Sequence, residues 1–240
     1  MRRVQPRPDG LQRETEMERA SARRWPLFAT MLLLGACSAV KDERPMPAVE
    51  VAEPDTGWKS VARDEDVARI EALDAAWNEA LDAARRAGFS RQVAKEGPLL
   101  DPEAGLPRAA PPPGSYLCRL IRLGPSEGKG GAYAAFKPFF CNVGVNDDQL
   151  SITKQTGSER PAGYLWEEEG SSKRLVFLGS LALGTEDAPL AYGEDPSRDM
   201  AGVFERVAAF RYRLVIPRPR GTSKLDVIEL VPAPVQAKEG

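Results

Sequence analysis

The sequence predicts a mainly β protein, α+β overall, in which one long amphipathic N-terminal helix precedes an antiparallel β meander. Apolar residues recur at three- and four-residue steps before residue 90, and short β-branched and aromatic segments alternate with turn compositions after residue 114. Such short connections without helices cannot readily join parallel strands. We expect the meander to close into a small barrel or to fold into a sandwich, since both limit exposed edges.

The helix is predicted to begin near Asp64 and to end near Arg86. Acidic residues occupy its first turn, Arg85 and Arg86 its last turn, and Gly88 follows, an order that complements the helix dipole. We interpret its apolar stripe as a docking face for the rest of the protein. The stripe consists of Val67, Ile70, Leu73, Trp77 and Leu81.

A proline-rich connector from 89 to 114 separates the helix from the strands, and the run Pro111–Pro113 is typical of stiff polyproline II structure. Turn compositions rich in Gly, Asn, Asp and Ser then separate seven predicted strands. These strands cover 115–123, 139–145, 149–153, 163–167, 174–183, 202–216 and 224–231.

The N-terminus has the composition of an export signal. Arg23 and Arg24 precede the apolar run 25–34, which is too short to span a bilayer permanently, and Gly35-Ala36-Cys37 follows. Leu34-Gly35-Ala36-Cys37 resembles the bacterial lipobox, and this resemblance implies that Cys37 is lipidated and becomes the first residue. The alternatives are an ordinary signal peptide that happens to be followed by a cysteine, or an uncleaved membrane anchor.

The resemblance to lipoproteins also implies a location. Ser38 after the cysteine, rather than Asp, favours the outer membrane, so we expect an exported protein of the cell envelope that faces the periplasm. More than one acyl chain gives stable anchoring without crossing the membrane. Because residues 1–16 are polar and mixed in charge, translation is expected to begin at Met17.

These patterns divide the chain into five segments. We expect a signal peptide, a lipidated N-terminus with a flexible tether, a helical segment with its proline-rich connector, an antiparallel β domain and a C-terminal tail. Their bounds are 1–36, 37–57, 58–112, 113–232 and 233–240.

Composition excludes several function classes. The chain contains 240 residues, 33 Lys and Arg, 35 Asp and Glu, and no histidine. Without histidine, neither a Ser-His-Asp nor a Cys-His site nor a His-containing zinc site can form within this chain. A net charge of −2 argues against nucleic-acid binding. We expect no cofactor and no metal site.

Cys118 and Cys141 remain after lipidation of Cys37, and both fall on predicted strands. In an exported protein, one disulfide between them is the economical interpretation. A catalytic thiol is the alternative, although it lacks the histidine that usually activates such a group.

Several blocks of sequence occur in a set order, at 113–119, 140–141, 154–160, 163–165, 176–179, 198–206, 211–217 and 225–230. Together they resemble bacterial envelope proteins of the domain of unknown function 4893 (DUF4893) family, from about Trp58 to Pro232. Tyr212 stands where that family suggests tryptophan, and Glu159 where it suggests glutamine. The resemblance implies no activity.

Two polar groups are candidates for a binding or structural cluster. One is a corner around Gly157, in which a Ser-Lys pair could perform nucleophilic hydrolysis; the other lies around 199–206, where two carboxylates could form a site only if they converge. We assign no catalytic residue. The cluster candidates are Lys154, Ser158, Glu159, Arg160, Asp199, Glu205 and Arg206.

A second candidate is a basic strip on the strand that contains Arg211 and Arg213 and on the hairpin with Arg218 and Arg220. Such a strip could bind phosphate-bearing envelope lipid or an acidic protein, or it could be a solvated outer face. The sequence therefore favours a non-enzymatic binding or interaction module. Its expected partners are the membrane, through the lipid anchor, and a small ligand or an envelope protein; a periplasm-facing hydrolase is the alternative.

Overall fold

The structure, a computed structural model, describes residues 57–125, 131–219 and 223–234. In this part of the chain short helices precede nine strands. The helices are α1 (Trp58–Val61), α2 (Asp64–Glu71), α3 (Leu73–Arg86) and α4 (Ser90–Glu96), followed by a 3-10 helix (Gly97–Leu100). Among these helices, none is long and apolar enough to span a bilayer.

The strands form one antiparallel sheet. They are β1 (Gly114–Pro125), β2 (Tyr133–Ala135), β3 (Phe139–Asn146), β4 (Gln149–Lys154), β5 (Glu159–Glu167), β6 (Arg174–Leu183), β7 (Asp199–Ala208), β8 (Arg211–Pro217) and β9 (Ser223–Pro232). Each strand from β3 to β8 pairs with the next, β1 pairs with β3, and β9 pairs with β1. The sheet therefore closes into an eight-stranded barrel, and short β2 extends the edge of β1.

The barrel interior is filled with side chains rather than open. Aromatic rings occupy its centre: Phe204 stacks on Tyr212, and Tyr116 meets Tyr212 edge to face, with ring centroids 5.8 Å and 6.2 Å apart. Phe177 and Phe204 are fully buried. The predicted barrel is thus confirmed over the sandwich, and its centre is a packed core in the way that small eight-stranded barrels allow.

The helices cover the outer wall formed by β1, β7, β8 and β9. A second hydrophobic core lies between the helices and this wall. Trp77 is buried in it, against the outward-facing residues of those strands. The prediction of one long helix is wrong, because Ala72 leaves helical geometry with φ −90° and ψ 15°. The break lets α2 pack on β7 while α3 packs on β1 and β9, so the helices follow the curved wall.

Three other expectations about secondary structure need correction. The predicted strand 202–216 is a hairpin, because the chain turns at Phe210, a non-glycine residue with φ 53° that carries no sequence signal for a turn. The connector contains α4 and the 3-10 helix. Strand β2 was not predicted, since its three residues are too few to show a period.

The disulfide between Cys118 and Cys141 is confirmed. Both cysteines point into the barrel, on neighbouring strands β1 and β3, with Cα atoms 6.0 Å apart. The bond links strands inside the core.

Several predictions concern residues outside the described ranges. The signal peptide 1–36, the start at Met17, the lipidated Cys37 with its tether, Arg220 and most of the tail 233–240 lie there.

Candidate functional site

A groove lies on the outer wall of the barrel, on the side that β4, β5 and β6 form. Its volume is about 300 Å³, at the lower end of the range for ligand sites. One wall consists of outward-facing strand residues, including the half-exposed Tyr164, and the other consists of the loop 189–192. The described residues that line this outer-wall groove are all uncharged, although 28% of the whole chain is charged.

The loop that forms the second wall is fastened at both ends. Near β6, the Glu186 carboxylate accepts hydrogen bonds from Arg198 Nη1 at 2.8 Å and from the Leu183 N–H at 2.9 Å. Near β7, the Tyr192 hydroxyl donates to Asp66 Oδ2 at 2.5 Å and accepts the Arg63 N–H at 3.1 Å. These contacts fix one end of the loop to β6 and the other to the start of α2.

Two glycines let the strands beneath the groove pack closely together. Gly163 of β5 faces Gly179 of β6, and a Cβ atom built on Gly163 would lie 2.4 Å from the Gly179 Cα atom. Any larger residue at Gly163 would push the strands apart. The backbone of this glycine pair therefore forms part of the groove lining.

Two buried polar atoms near this floor have no hydrogen-bond partner in the described part of the chain. They are Ser180 Oγ and Asp199 Oδ2. Ser180 is 1% exposed, lines the groove, and lies opposite Asp199 in the β6–β7 register. Native proteins pair most buried polar atoms, so each exception requires an explanation.

The surroundings of Asp199 disfavour its charge. Burial raises the pKa of Asp199; the hydrogen bond from the Gly193 N–H opposes that shift, and the nearby Asp66 carboxylate adds to it. Arg63 Nη1 lies 3.8 Å from Asp199 Oδ2, beyond hydrogen-bond distance. Burial likewise raises the pKa of Tyr192 above its usual range.

One mouth of the barrel contains a second polar group. Arg122 donates to both oxygens of Asp226 at 2.9 Å, and Ser223 Oγ donates to Asp226 Oδ1 at 2.7 Å. Lys154 and Glu159, two of the predicted cluster residues, line the same small cavity of about 60 Å³. That volume is well below the roughly 300–1,000 Å³ of small-molecule pockets, so the mouth is a weaker candidate than the groove.

The predicted corner around Gly157 separates into residues with different roles. Lys154 Nζ lies 4.4 Å from the centroid of the Phe139 ring, and burial lowers its pKa while Glu159 partly opposes that shift. Ser158 is exposed. Arg160 Nη1 donates to the carbonyl oxygens of Gly157 and Gly184 at 2.9 Å and 2.7 Å, and so braces the loop after β6.

The predicted carboxylate pair does not converge. Asp199 and Glu205 lie six residues apart on β7, which places them roughly 20 Å apart at 3.3 Å per residue. Glu205 instead pairs with Arg213, whose Nη2 lies 2.6 Å from Glu205 Oε2. Arg206 donates to the Pro107 carbonyl at 2.5 Å and holds the connector to the barrel.

The predicted basic strip is not a continuous exposed surface. Arg213 is fully buried beneath the 3-10 helix, where Nη1 donates to the carbonyls of Leu99 and Asp101 and the guanidinium lies 5.0 Å from the Trp77 ring. Nε of Arg211 donates to Glu229 at 2.6 Å. Nη2 of Arg218 lies 3.2 Å from Glu79, and hydrogen bonds from Arg218 and Lys224 lower the pKa of that glutamate.

A larger cavity, about 490 Å³, lies between α3 and the turn that joins β5 to β6. About half of its lining residues are charged, and they include Asp74, Glu103, Glu168, Lys173 and Arg174. Arg174 Nη2 donates to Glu168 at 2.9 Å, so part of this charge is already paired. Within the described ranges, no three residues of a metal-binding type are grouped in a way that could hold an ion.

Sequence reasoning missed most residues of the groove. A signal existed for Ser180, since it is the polar residue on the outward face of β6 between Leu178 and Ala182. Tyr192 lies in an irregular loop, where no periodicity could have shown which residues return to the barrel.

The chain was compared with known proteins. Neither the curated proteins nor the solved structures contain a match to it. The sequence profile of the domain of unknown function DUF4893 matches residues 58–230, which include the helices, the connector and almost all of the barrel. This chain therefore belongs to the DUF4893 family.

Proposed function

We propose that the protein is an exported envelope lipoprotein that serves as a non-enzymatic binding module, with the outer-wall groove as its ligand site. Lipid at Cys37 would anchor the protein in the outer membrane, and the barrel would face the periplasm. The observation that carries the binding role is the buried, unpaired Ser180 hydroxyl at an open groove. A ligand that supplies the missing hydrogen bond would remove the cost of that unpaired atom.

Two further features support binding at the groove rather than inside the barrel. The interior core, which includes Phe177, Phe204 and Tyr212, fills the space that a ligand would need. Hydrogen bonds of the Tyr192 hydroxyl with Arg63 and Asp66 fix the loop that forms one wall, so that wall is in place before a ligand arrives. A preformed site avoids the entropy cost of ordering a loop on binding.

The hydrolase alternative has less support. Its two carboxylates, Asp199 and Glu205, lie at separate ends of β7, and Glu205 is occupied by Arg213. Ser158 is exposed, whereas Lys154 lines the barrel mouth. A nucleophile and its base must lie within hydrogen-bond reach in a shared pocket.

Intact mass spectrometry of the full chain, expressed in a Gram-negative host, tests the anchor. We expect cleavage before Cys37, a mass that includes acyl chains, and recovery in the outer membrane. Cys37→Ser should lose the acyl mass. As a matched control, Ser38→Asp should keep the acyl mass but shift the protein to the inner membrane. An unmodified N-terminus in the native chain would contradict the anchor.

Native mass spectrometry of the chain, extracted in mild detergent, tests the binding role. We expect a small adduct that disappears on denaturation and is absent from Tyr164→Ala, which removes a half-exposed ring from the groove wall. Phe140→Ala removes a similarly exposed ring from β3 outside the groove and should keep the adduct. Absence of any adduct, or equal adducts in both variants, would count against the groove.

A further inference from the structure

We propose that the outer-wall groove binds a neutral saccharide, a conclusion that rests on the proposed function and names the ligand class for the same site. Three properties of the groove lead to it: its lack of charge, its division into an apolar and a hydroxyl-bearing part, and its size.

The lack of charge excludes ionic ligands. The groove lining in the described chain contains no Lys, Arg, Asp or Glu. The nearest buried carboxylates, Asp66 and Asp199, lie behind the lining and face Tyr192 and Arg63. A charged ligand would lose hydration without gaining a partner of opposite charge in the described lining, and that loss weakens binding. A neutral ligand bears no such cost.

The two parts of the groove match the two sides of a sugar ring. Pro189, Leu190 and the Tyr164 ring offer apolar surface, onto which the C–H face of a pyranose can pack. Hydroxyl and amide groups line the rest, and each hydroxyl can donate and accept, as sugar hydroxyls require. These polar residues are Asn146, Ser151, Thr153 and Ser180. The Tyr192 hydroxyl also lies in the lining, but it already donates to Asp66 and accepts from Arg63.

The size agrees with a small ligand. A volume of about 300 Å³ lies at the lower end of the roughly 300–1,000 Å³ of small-molecule pockets. Ser180 marks the depth to which the ring enters, because a sugar hydroxyl at the groove floor supplies the hydrogen bond that Ser180 Oγ lacks. The exposed Leu190, 45% accessible, then borders the outer edge of the ligand.

Titration with N-acetylglucosamine tests the proposal, since this sugar is neutral and carries both hydroxyl and amide groups. Saturation-transfer difference NMR would use the full chain in a detergent that has no sugar headgroup. We expect saturable binding that is at least tenfold tighter than binding of glucuronic acid, a ring of similar size with one negative charge. Equal or tighter binding of glucuronic acid would overturn the proposal.

Variants locate the binding. Tyr164→Ala should weaken N-acetylglucosamine binding at least tenfold, while Phe140→Ala, the matched control on β3, should leave it unchanged. Ser180→Ala should weaken binding without lowering stability, because its hydroxyl has no partner in the described protein to lose. An unchanged affinity in both Tyr164→Ala and Ser180→Ala would overturn the proposal.

A soluble tetramer of N-acetylglucosamine separates two sources of the same chemistry. Equal affinity of the monomer and the tetramer indicates a free or terminal sugar, whereas tighter binding of the tetramer indicates a glycan chain. If neither sugar binds while native mass spectrometry still shows a groove-dependent adduct, the saccharide proposal fails and the proposed binding role stands.

Discussion

Asp199 and Glu205 lie on the same outer face of β7, but their carboxylates have opposite surroundings. Glu205 Oε2 accepts hydrogen bonds from Arg213, whose Nε lies 2.7 Å away, and the two residues are buried beneath the helices. Asp199 Oδ1 accepts the Gly193 N–H at 3.0 Å, while Oδ2 has no hydrogen-bond partner in the described protein. Both residues are buried, at 3% exposed for Asp199 and 9% for Glu205.

The difference shows how to separate a structural carboxylate from a functional candidate. At the Glu205 end, Arg213 also donates to backbone carbonyls of the connector, so the ion pair ties the helical segment to the barrel. At the Asp199 end, polar atoms remain unpaired beside an open groove. Burial alone therefore does not indicate function; burial with an unpaired atom at a cavity does.

The largest expected effect comes from Arg213→Met. Loss of the guanidinium leaves the Glu205 charge buried and unpaired, which should lower the free energy of unfolding by about 3–5 kcal/mol. Urea denaturation of the full chain measures the change. The matched variant at the other end of β7 is Arg63→Met, whose side chain is 34% exposed and 3.8 Å from Asp199. Arg63→Met should lower the free energy of unfolding by less than about 1 kcal/mol. Equal losses in the two variants would contradict the difference between Glu205 and Asp199.

A smaller effect is expected from two buried serines. Ser223 is 2% exposed and donates to Asp226, so Ser223→Ala should cost about 1–2 kcal/mol in urea denaturation. Ser180 is 1% exposed, and its hydroxyl has no hydrogen-bond partner among the described residues. Ser180→Ala should therefore leave the free energy of unfolding unchanged or raise it. A loss as large as that of Ser223→Ala would show that Ser180 is paired in solution.

The smallest effect should appear as a pH dependence. Burial raises the pKa of Asp199 above its ordinary value of 3.8, so ionisation of this group opposes folding. Its contribution to stability is full below that ordinary value and is lost as the pH rises through the folded-state pKa. Asp199→Asn keeps an acceptor for the Gly193 N–H and cannot ionise. Asp199→Asn should be more stable than the native chain at pH 7. This difference in stability should shrink as the pH falls.

Glu96 provides the control of opposite sign. Burial acts to raise its pKa, but hydrogen bonds from Arg119 and Tyr133 outweigh burial and lower it below 4.5. Its contribution to stability is present above that ordinary value and is lost as the pH falls through the folded-state pKa. Glu96→Gln should therefore be less stable than the native chain at pH 7. Thermal melts from pH 3 to pH 7 measure the stability of both variants against the native chain. If Asp199→Asn and Glu96→Gln change stability in the same direction at pH 7, this assignment is contradicted.

Local patterns predicted much of the fold. The predicted range 174–183 is the observed β6, and the predicted strands 115–123 and 139–145 differ from β1 and β3 by one or two residues at their ends. In these segments apolar and polar residues alternate, or a long apolar run is present, and residues typical of turns lie on both sides. Where the turn signal is absent, as at Phe210, the prediction merged two strands into one. The helix periodicity was likewise correct, but its break at Ala72 depends on the wall against which the two segments pack.

The candidate site was less predictable than the fold. Asp199 was singled out from the sequence, yet it was paired with Glu205, which the strand places roughly 20 Å away. Arg213 was assigned to an exposed strip and is instead buried, because the connector folds back over β8 and supplies carbonyl acceptors. Tyr192 and Ser180 come together with residues about 30 to 130 positions away in the chain, and no local pattern reports such contacts.

The sequence by itself determined the strand and helix periods and the antiparallel connections, and it favoured the disulfide between the two barrel cysteines and the family. The periods and connections follow from side-chain size, polarity and local turn chemistry, which neighbouring residues specify. Only the tertiary structure decided that the barrel closes through β1 and β9, that its centre is filled, and that Glu205 of β7 is paired with Arg213 while Asp199 Oδ2 has no hydrogen-bond partner among the described residues. Closure, packing and pairing depend on distances between residues remote in the chain, and a pattern of single residues carries no such distances.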